Sequence, residues 1–349
     1  DYVYRVEQPS LALGRVDGVK VVTVGTVSPH FEAMCLAADV LVLHLLTEHD
    51  LLPLIEERKR LGKPTVYEIS DNFVAMHEGV GTRGWFSDPI NLASAFQLIT
   101  LSDAAQATGQ GIAQRFGFLT EQMMVFENQI AEPGRLKRGS TDHVVIGWAG
   151  SSGHARDVQE IAPTIVQVCS EHPTVRFAYM GDDSLYSEFF CSIPPHQRSY
   201  EPPGPLEHYL RFLDRLDIGV APLRDNPYNR CRSDVKFIEY ASRGVVPVLA
   251  AVGPYMVNAR DGETALLFSS PDHLHALLTR SIMEPDLRRH IASKTHQYVR
   301  SERTEQQHVL RRIDFYHSLC PAPSGIPEDA DLLTKMRPDS EYYEVKPTD

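Results

Sequence analysis

The residues best suited to chemistry lie in one segment, PLRDNPYNRCRSDVKFIEYASRGVVPVLA (222–250). A strand pattern ends at its start, a loop rich in proline and asparagine follows, and Ser233 stands where a hydroxyl would cap the next helix. Arg232 and Lys236 are four residues apart, so both side chains can project from one side of the first helical turn. Two cations beside a helix N-terminus predict a diphosphate site, because the free backbone N–H groups there add partial positive charge.

Glu239 lies three residues after Lys236, on the same helical face and one turn deeper. A carboxylate in that position can accept hydrogen bonds from two hydroxyl groups of a ribose. The alternative is a solvated ion pair on a surface helix, which is worth only about 0.2–0.5 kcal/mol. The position of the segment favours a ligand, because small molecules bind outside the carboxyl ends of the strands in an open α/β sheet.

Two more loops follow predicted strands, GWAGSSGHARD (147–157) and MGDDS (180–184). Both combine glycine, which lets a backbone approach a ligand, with polar side chains that suit a phosphate or a ribose: Gly150, Ser151, Ser152 and Arg156 in the first, Gly181 and Asp182 in the second. Neither loop has the G-x-G-x-x-G or P-loop pattern, and each alone can equally be an ordinary turn. Three such loops converging on one cleft predict a nucleotide site.

The elements that would position these loops alternate along the chain. Short β-branched runs and longer amphipathic stretches follow one another, which predicts βαβ units and parallel sheets. Strands are predicted at VKVVTV (19–24), DVLVLHL (39–45), PTVYEI (64–69), QLITLS (97–102), MVFEN (124–128), HVVIGWA (143–149), VRFAYMG (175–181), DIGVAPL (217–223) and VVPVLA (245–250). Helices are predicted at 50–62, 161–172, 206–216, 233–243 and over most of 271–319. The stretch AEPGRLKRGSTD (131–142) predicts a linker between two domains.

Length and composition suit a soluble protein of about two domains, since 349 residues exceed the roughly 150 of a single domain. The formal net charge of −12, from 34 Lys+Arg against 46 Asp+Glu, argues against a nucleic-acid partner. Five scattered cysteines without a C-x-x-C pair predict a reducing cytoplasm. No apolar run is long enough to span a bilayer, and the first twenty residues do not form a signal peptide. The chain opens at Asp1, which leaves open whether it is one module of a longer protein.

Taken together, these segments resemble the GT-B-fold retaining glycosyltransferases, nucleotide-sugar-dependent enzymes that include many bacterial polysaccharide and natural-product enzymes. The second-half landmarks appear in order as IGWAGSSGHARDV, FAYMGD, DIGVAPLRDNPYNRCRSDVKFIEYASRGVVPVLA and ARDGETALLFSSPDHL. In the first half, PTVYEISDN, LITLSDA and VFENQI are similar to the strand ends of the family, with Asn128 in the place of its usual interdomain asparagine. The resemblance covers residues 142–316 well and the first half more loosely.

The resemblance implies an α/β fold in which two Rossmann-like domains face each other across a cleft. The expected boundaries are an acceptor domain over 1–135, a nucleotide-sugar domain over 142–285, C-terminal helices over 286–319 that pack back toward the first domain, and a loosely ordered tail over 320–349.

The resemblance also implies roles for individual residues. Arg232 and Lys236 would bind the donor diphosphate and stabilise charge on the leaving group, while Glu239 would bind the nucleotide ribose. The other residues expected at the donor site are Gly150, Ser151, Ser152, Arg156, Gly181, Asp182, Pro222, Asn226, Asn229 and Ser233. Many members carry a glutamate that contacts the donor sugar where this chain has Cys231. That departure leaves the sugar open, with Asp225, Asn226 and Asn229 as the candidates to contact its hydroxyls.

An acceptor would meet the first domain. Glu68 and Asp71 in YEISDN are expected to face the cleft, where they and Asn72 could position an acceptor hydroxyl. The alternative is that Asp71 and Asn72 cap a turn or a helix. Trp85, in the Gly-rich loop GVGTRGWFSDP (79–89), could stack on an acceptor sugar or simply anchor that loop.

The resemblance therefore implies a hexosyltransferase that moves a sugar from a UDP or GDP sugar to a hydroxyl of a glycan, a lipid-linked saccharide or a small natural product. The fifteen histidines show no H-E-x-x-H motif and no zinc spacing, so we expect neither a metal nor a cofactor beyond the co-substrate. Two rivals stay open: an epimerase or hydrolase of nucleotide sugars with the same fold, and a silent nucleotide-binding module. Peripheral membrane association and the oligomeric state are open as well.

Overall fold

The computed structural model describes residues 2–136 and 143–321. Within them, ten strands form two parallel sheets. The strands are β1 (Leu41–His44), β2 (Thr65–Ile69), β3 (Ala104–Ala107), β4 (Met123–Val125), β5 (Val145–Gly150), β6 (Arg176–Gly181), β7 (Arg198–Glu201), β8 (Ile218–Ala221), β9 (Val246–Ala250) and β10 (Leu266–Phe268).

Fourteen α-helices of the described residues accompany the sheets. They are α1 (Gln8–Leu13), α2 (Phe31–Ala37), α3 (Leu51–Arg60), α4 (Arg83–Ser87), α5 (Pro89–Leu101), α6 (Gln110–Phe116), α7 (Ala155–Glu171), α8 (Asp183–Phe190), α9 (Leu206–Leu213), α10 (Val235–Ser242), α11 (Pro254–Asn258), α12 (Pro271–Met283), α13 (Pro285–Glu302) and α14 (Glu305–Leu319). Short helical turns lie at Val3–Glu7, Gly117–Leu119, Ser152–His154, Pro195–Gln197 and Asn229–Cys231. The helices predicted in the sequence are confirmed as α3, α7, α9, α10 and α12 to α14.

The first sheet has the strand order β1-β2-β3-β4. It confirms the strands predicted at 39–45, 64–69 and 124–128, with shorter bounds. Strand β3 was not predicted, because its sequence AAQA has little intrinsic preference for a strand. Its four residues are buried, and β2 and β4 pair with it on both sides. Tertiary position therefore overrides propensity at this strand.

The strand predicted at 97–102 is wrong, because these residues continue helix α5. The Asp88 carboxylate caps that helix by accepting from the Ile90 N–H at 2.8 Å, and Pro89 occupies its first position. Thirteen residues started in this way bury one helical face instead of alternating as a strand would.

The strand predicted at 19–24 is also wrong, since these residues have no regular secondary structure. The β-branched side chains favour an extended backbone, but a strand also needs a hydrogen-bonded neighbour. In the described residues β1 is the edge of the sheet, and none of the side chains over 19–24 is buried.

The second sheet has the order β10-β9-β8-β5-β6-β7, so chain order reverses between β5 and β8. The chain moves outward from β5 to β6 and β7, and then returns to place β8 on the other side of β5. Such a reversal opens a crevice at the carboxyl ends of the two strands, which is where open α/β sheets bind ligands. The four strands predicted in this half are confirmed, whereas the edge strands β7 and β10 were not predicted.

The C-terminal helices link the two halves. Helices α12 and α13 pack on the second sheet, while α14 returns to the first, where Phe315 meets Phe126 at 5.6 Å between ring centroids. Most of the predicted linker and tail, residues 137–142 and 322–349, lies outside the described residues. The domain boundaries stay a prediction. No helix within 2–136 or 143–321 has the length and apolar character to cross a membrane.

Candidate active site

A chain of hydrogen bonds joins the two loops at the crevice of the second sheet. His154, after β5, places Nδ1 2.9 Å from Asp157 and Nε2 3.0 Å from the guanidinium of Arg232, which follows β8. Asp157 is 3% exposed, and its other carboxylate oxygen accepts from the Arg224 main-chain N–H at 2.9 Å and the Asn229 amide at 3.0 Å. The fold therefore places Arg232 at the crevice that the strand order creates.

Arg232 also faces the first sheet. It donates to the Tyr228 hydroxyl at 2.8 Å and lies over that ring at 5.3 Å from the centroid. The Tyr228 hydroxyl in turn donates at 3.3 Å to Asp71, in the loop after β2. Burial raises the pKa of the Asp71 carboxyl, an effect that the charge of Arg232 partly offsets. The Tyr228 hydroxyl thus links Asp71 of the first half to Arg232 of the second half.

Helix α10 begins at Val235 with Asp234 at the N-cap position, so the prediction that Ser233 caps it is wrong. Asp234 is 2% exposed and caps nothing, because its carboxylate accepts two hydrogen bonds from Arg303 at 2.6 and 3.0 Å. Arg303 also donates to the main-chain carbonyl of Asn128 at 2.8 Å. A buried ion pair therefore holds the start of α10 against the end of the first half.

Lys236 and Glu239 form the expected pair, with 3.3 Å between Nζ and Oε2. The pair is not the solvated surface pair considered above, because Glu239 is 4% exposed. Its two oxygens accept from the hydroxyls of Tyr4 at 2.8 Å and Tyr209 at 2.6 Å. Burial first, and then the charge of Glu239, raise the pKa of both tyrosines well above the ordinary value, so both remain donors. The carboxylate that the sequence analysis assigns to the ribose thus already accepts hydrogen bonds from two tyrosine hydroxyls.

Cys231 lies in the contact between the two halves, 9% exposed and packed into the core of the first half. Beside it, the Asn72 amide donates to the Pro227 carbonyl at 3.0 Å and lies 3.5 Å from the Cys231 sulfur. A Cβ on Gly111 would lie 2.8 Å from the Arg230 carbonyl oxygen, so the approach of α6 to this turn requires glycine. The position where the resemblance implies a sugar-contacting glutamate is thus a cysteine packed between the two halves.

The asparagines of the loop after β8 shape that loop. Asn229 is 1% exposed, and its amide nitrogen donates to Asp157 and, at 2.9 Å, to the Arg224 carbonyl. Asn226 accepts from the Asn229 main-chain N–H at 2.9 Å. Their amide groups therefore fix the approach of the loop to Asp157, and sugar contacts by either residue stay a prediction.

The two glycines at the ends of β5 and β6 pair in register and are required by packing. A Cβ on Gly150 would lie 2.6 Å from the Trp148 ring, and one on Gly181, whose φ is +151°, would lie 2.3 Å from the Gly150 carbonyl oxygen. Asp182 caps α8 by accepting from the Ser184 N–H at 2.9 Å, and hydrogen bonds from the Ser184 hydroxyl and then from that N–H lower the pKa of Asp182. Gly150, Gly181 and Asp182 thus each have a local structural role, the glycines in close packing and the aspartate in helix capping.

A cavity of about 260 Å³ opens between the halves beside the same loops. Its lining includes His77 of the first half and Arg156, Arg224 and Asn226 of the second. Arg156 is exposed and pairs with Glu78 at 3.3 Å across the cleft. Of the other donor-side residues, Ser151 and Ser152 are exposed, Ser233 is half-buried, and Pro222 is buried directly after β8.

On the acceptor side, the expectation that Glu68 faces the cleft is wrong. This carboxylate is fully buried, pairs with Arg5 at 2.6 Å and also accepts from Gln106, because a buried charge needs an opposite charge and hydrogen bonds. Trp85 keeps 57% of its surface exposed while its indole N–H donates to Thr47 at 2.8 Å. The indole is therefore anchored at one edge and leaves a large surface accessible.

Sequence reasoning missed several residues that hold this site. The three-residue spacing of His154 and Asp157 on one helical face could have indicated a pair. Tyr4 and Arg303 carry no such signal, because they reach Glu239 and Asp234 across 235 and 69 residues of chain. In the described part of the chain no group of three or more His, Cys, Asp or Glu could hold a metal ion, and the expected absence of a metal stays a prediction.

This chain is similar to one protein family and to several solved structures. Residues 162–314 match the family described as glycosyl transferase-like. TarM of S. aureus aligns with a TM-score of 0.62 and 9% identity over 82% of this chain and 58% of TarM. HepE of Anabaena, solved with UDP, aligns at 0.60 and 12% over 82% and 81%. Sucrose-phosphate synthase of Thermosynechococcus elongatus aligns at 0.61 and 14% over 83% and 76%.

These alignments confirm the GT-B fold and the resemblance to its glycosyltransferases. The chain spans little more than half of TarM, and no curated protein sequence matches it significantly.

Proposed function

We propose that this chain, a GT-B-fold protein whose residues 162–314 match the glycosyl transferase-like family, transfers a sugar from a nucleoside-diphosphate sugar to a hydroxyl acceptor. One observation favours this function above all: Arg232 lies where the loops after β5 and β8 meet at the reversal of strand order, and Lys236 follows it by four residues in the first turn of α10. Burial lowers the pKa of His154, and the charges of Arg232 and Lys236 lower it further. Two positive charges at that crevice suit a diphosphate.

In the proposed reaction, the bond between the anomeric carbon and the diphosphate oxygen breaks as the acceptor oxygen bonds to that carbon on the same face. Negative charge develops on the departing diphosphate, so the groups that stabilise it lower the barrier. Arg232 and Lys236 have that role. The leaving phosphate takes the acceptor proton, so no side chain is assigned as base and the anomeric configuration is retained. Solved complexes of relatives support the donor class, since HepE binds UDP-glucose and the pneumococcal GtfA binds UDP and GlcNAc.

Calorimetric titration with UDP, GDP, UDP-glucose and GDP-mannose tests the donor site. We expect the protein to bind one nucleotide and the corresponding sugar nucleotide, and we expect slow hydrolysis of that sugar nucleotide when no acceptor is added.

In this proposal residues 1–135 form the acceptor domain and 142–285 form the donor domain, while the helices over 286–319 pack back toward the acceptor domain. The five free cysteines, three of them buried, support a reducing cytoplasm as the site of the reaction.

Tyr4→Phe tests whether Glu239 binds the ribose. The variant removes the hydroxyl that donates to Oε1, so that oxygen becomes available to a ribose hydroxyl. We expect UDP affinity to rise several-fold, while the free energy of unfolding falls by about 1.5–3 kcal/mol, as for a lost hydrogen bond to a charged group. Titration and urea unfolding measure the two effects. Unchanged or weaker affinity in the folded variant would place the ribose elsewhere.

Removal of divalent metal ions tests whether Arg232 and Lys236 suffice to balance the negative charge of the diphosphate. Activity should persist in excess EDTA, because Arg232 and Lys236 supply the positive charge that a divalent ion supplies in other transferases. Initial rates with and without EDTA give the comparison. A loss of turnover that added Mn²⁺ or Mg²⁺ restores would contradict metal independence.

A silent nucleotide-binding module is the second candidate, and one observation favours it. Cys231, in the place of the sugar-contacting glutamate, is packed between the halves, and burial raises the pKa of its thiol. Nucleotide binding without transfer to any hydroxyl acceptor and without donor hydrolysis would establish this candidate.

A further inference from the structure

We propose that His154 is a positioning residue for Arg232, whose neutral imidazole holds the guanidinium toward the diphosphate of the donor. The inference rests on the proposed function, because it assigns a use to the arginine of that site. His154 belongs to the loop after β5 and Arg232 to the loop after β8, so their contact spans the reversal of strand order.

The partners of the imidazole determine its protonation state. Nδ1 lies 2.9 Å from a carboxylate oxygen of Asp157, which only accepts, so Nδ1 carries the proton. Nε2 lies 3.0 Å from the guanidinium of Arg232, which only donates, so Nε2 presents its lone pair. One hydrogen-bonded chain thus runs from Asp157 through a neutral His154 to Arg232.

The Asp157 end of this series of hydrogen bonds is rigid. The Asp157 side chain is 4% exposed and that of His154 14%. Asp157 is further fixed by the Arg224 main-chain N–H and by Asn229, which bond to its other oxygen. A fixed carboxylate orients the ring, and the oriented ring selects one position for the Arg232 guanidinium, as carboxylate–histidine pairs do for metal ions.

Protonation of His154 would undo this arrangement. A proton on Nε2 removes the acceptor and sets a second positive charge beside Arg232. The charged groups around the ring are Asp157 of α7, Arg232 before α10 and Lys236 of α10, and Trp148 of β5 meets it edge-on. Burial, followed by the two cations, lowers the pKa of His154 despite Asp157. Donor affinity should therefore be constant at neutral pH and fall as the solution becomes acidic.

The first experiment needs no nucleotide. Nitrogen-15 NMR of the imidazole, assigned with His154→Gln, should show protonated Nδ1 and unprotonated Nε2 at pH 7.5. Arg232→Met should raise the pKa of His154, whereas Arg289→Met, an exposed arginine paired with Asp286, should not. A protonated Nε2 at pH 7.5, or a pKa indifferent to Arg232, would overturn the inference.

The second experiment titrates UDP-glucose and GDP-mannose from pH 5.5 to 8, a range in which the diphosphate of neither sugar nucleotide changes its protonation. His154→Gln keeps an acceptor oxygen near the place of Nε2, so it should retain affinity to within about threefold and lose the pH dependence. His154→Ala should bind about tenfold more weakly than wild type at pH 7.5 and show no pH dependence, with no further loss when Arg232→Met is added. His275→Asn, a histidine paired with Glu171 elsewhere, is the matched control and should behave as wild type.

The outcomes separate the inference from the proposed function. If wild type binds neither sugar nucleotide, the proposed function fails, and the role of His154 at a donor fails with it, even if the NMR result stands. If wild type binds but the folded His154→Ala keeps its affinity, or loses it additively with Arg232→Met, only the positioning role is overturned.

Discussion

Arg232→Ala is expected to lower kcat by roughly 100-fold or more, the usual scale for removing one transition-state donor. Arg232 lies where the loops after β5 and β8 meet and is held by His154 and Tyr228 at 3.0 and 2.8 Å. A guanidinium fixed before the reaction does not reorganise as charge develops on the diphosphate, so its loss should reduce kcat more than donor affinity. Steady-state kinetics with the donor identified by titration measure both quantities.

Arg230→Ala is the matched control, because Arg230 lies two residues before Arg232, is exposed, and pairs with Asp225 of the same loop. We expect its kcat to stay within about twofold of wild type, as for an exposed ion pair of little energetic value. Thermal unfolding must show that both variants are folded. Equal kcat values for folded Arg232→Ala and Arg230→Ala would remove Arg232 from the reaction.

Arg303→Met is expected to give the largest loss of stability, about 3–5 kcal/mol, the scale for leaving a buried charge without its partner. Asp234 is 2% exposed, and Arg303 donates two hydrogen bonds to its carboxylate at 2.6 and 3.0 Å, while the neutral Asn258 amide donates a third at 2.7 Å. The same guanidinium binds the Asn128 carbonyl, so its loss also frees the start of α10 from the first half. Urea unfolding measures the free energy.

Two comparisons make that result specific. Asp234→Leu combined with Arg303→Met removes both charges and should recover much of the lost stability, because no buried charge is left unpaired. Arg289→Met breaks an exposed pair with Asp286 and should leave the unfolding midpoint unchanged. If Arg303→Met unfolds like Arg289→Met, the buried pair does not hold α10 in place.

The second half of the chain could be predicted from its sequence because local signals there agree with tertiary position. β-branched runs become buried central strands such as β8 and β9, and the spacing of Arg232, Lys236 and Glu239 predicts their common location. In the first half, local and tertiary preferences conflict. The alanine-rich β3 is a strand only because two neighbouring strands pair with it, whereas the β-branched 19–24 lies outside both sheets of the described residues and has no regular secondary structure.

The parts of the site that escaped prediction are those made by contacts distant in sequence. Tyr4 and Tyr209 both donate to Glu239, and Arg5 pairs with the Glu68 that was expected in the cleft. A sequence shows which side chains can form hydrogen bonds, but it does not show which residues they bond to. A carboxylate assigned to a ligand can therefore prove to be occupied by side chains of the same protein.

Binding of a nucleotide by helix α10 is tested most directly by calorimetric titration of UDP and GDP into wild type, Lys236→Ala and Glu239→Gln. We expect wild type to bind one of the two, and each variant to bind that nucleotide at least tenfold more weakly, because each loses a charged group at the proposed site. The opposite result is wild-type affinity in both folded variants, or no binding of either nucleotide by wild type. Either outcome would contradict a donor site on this helix.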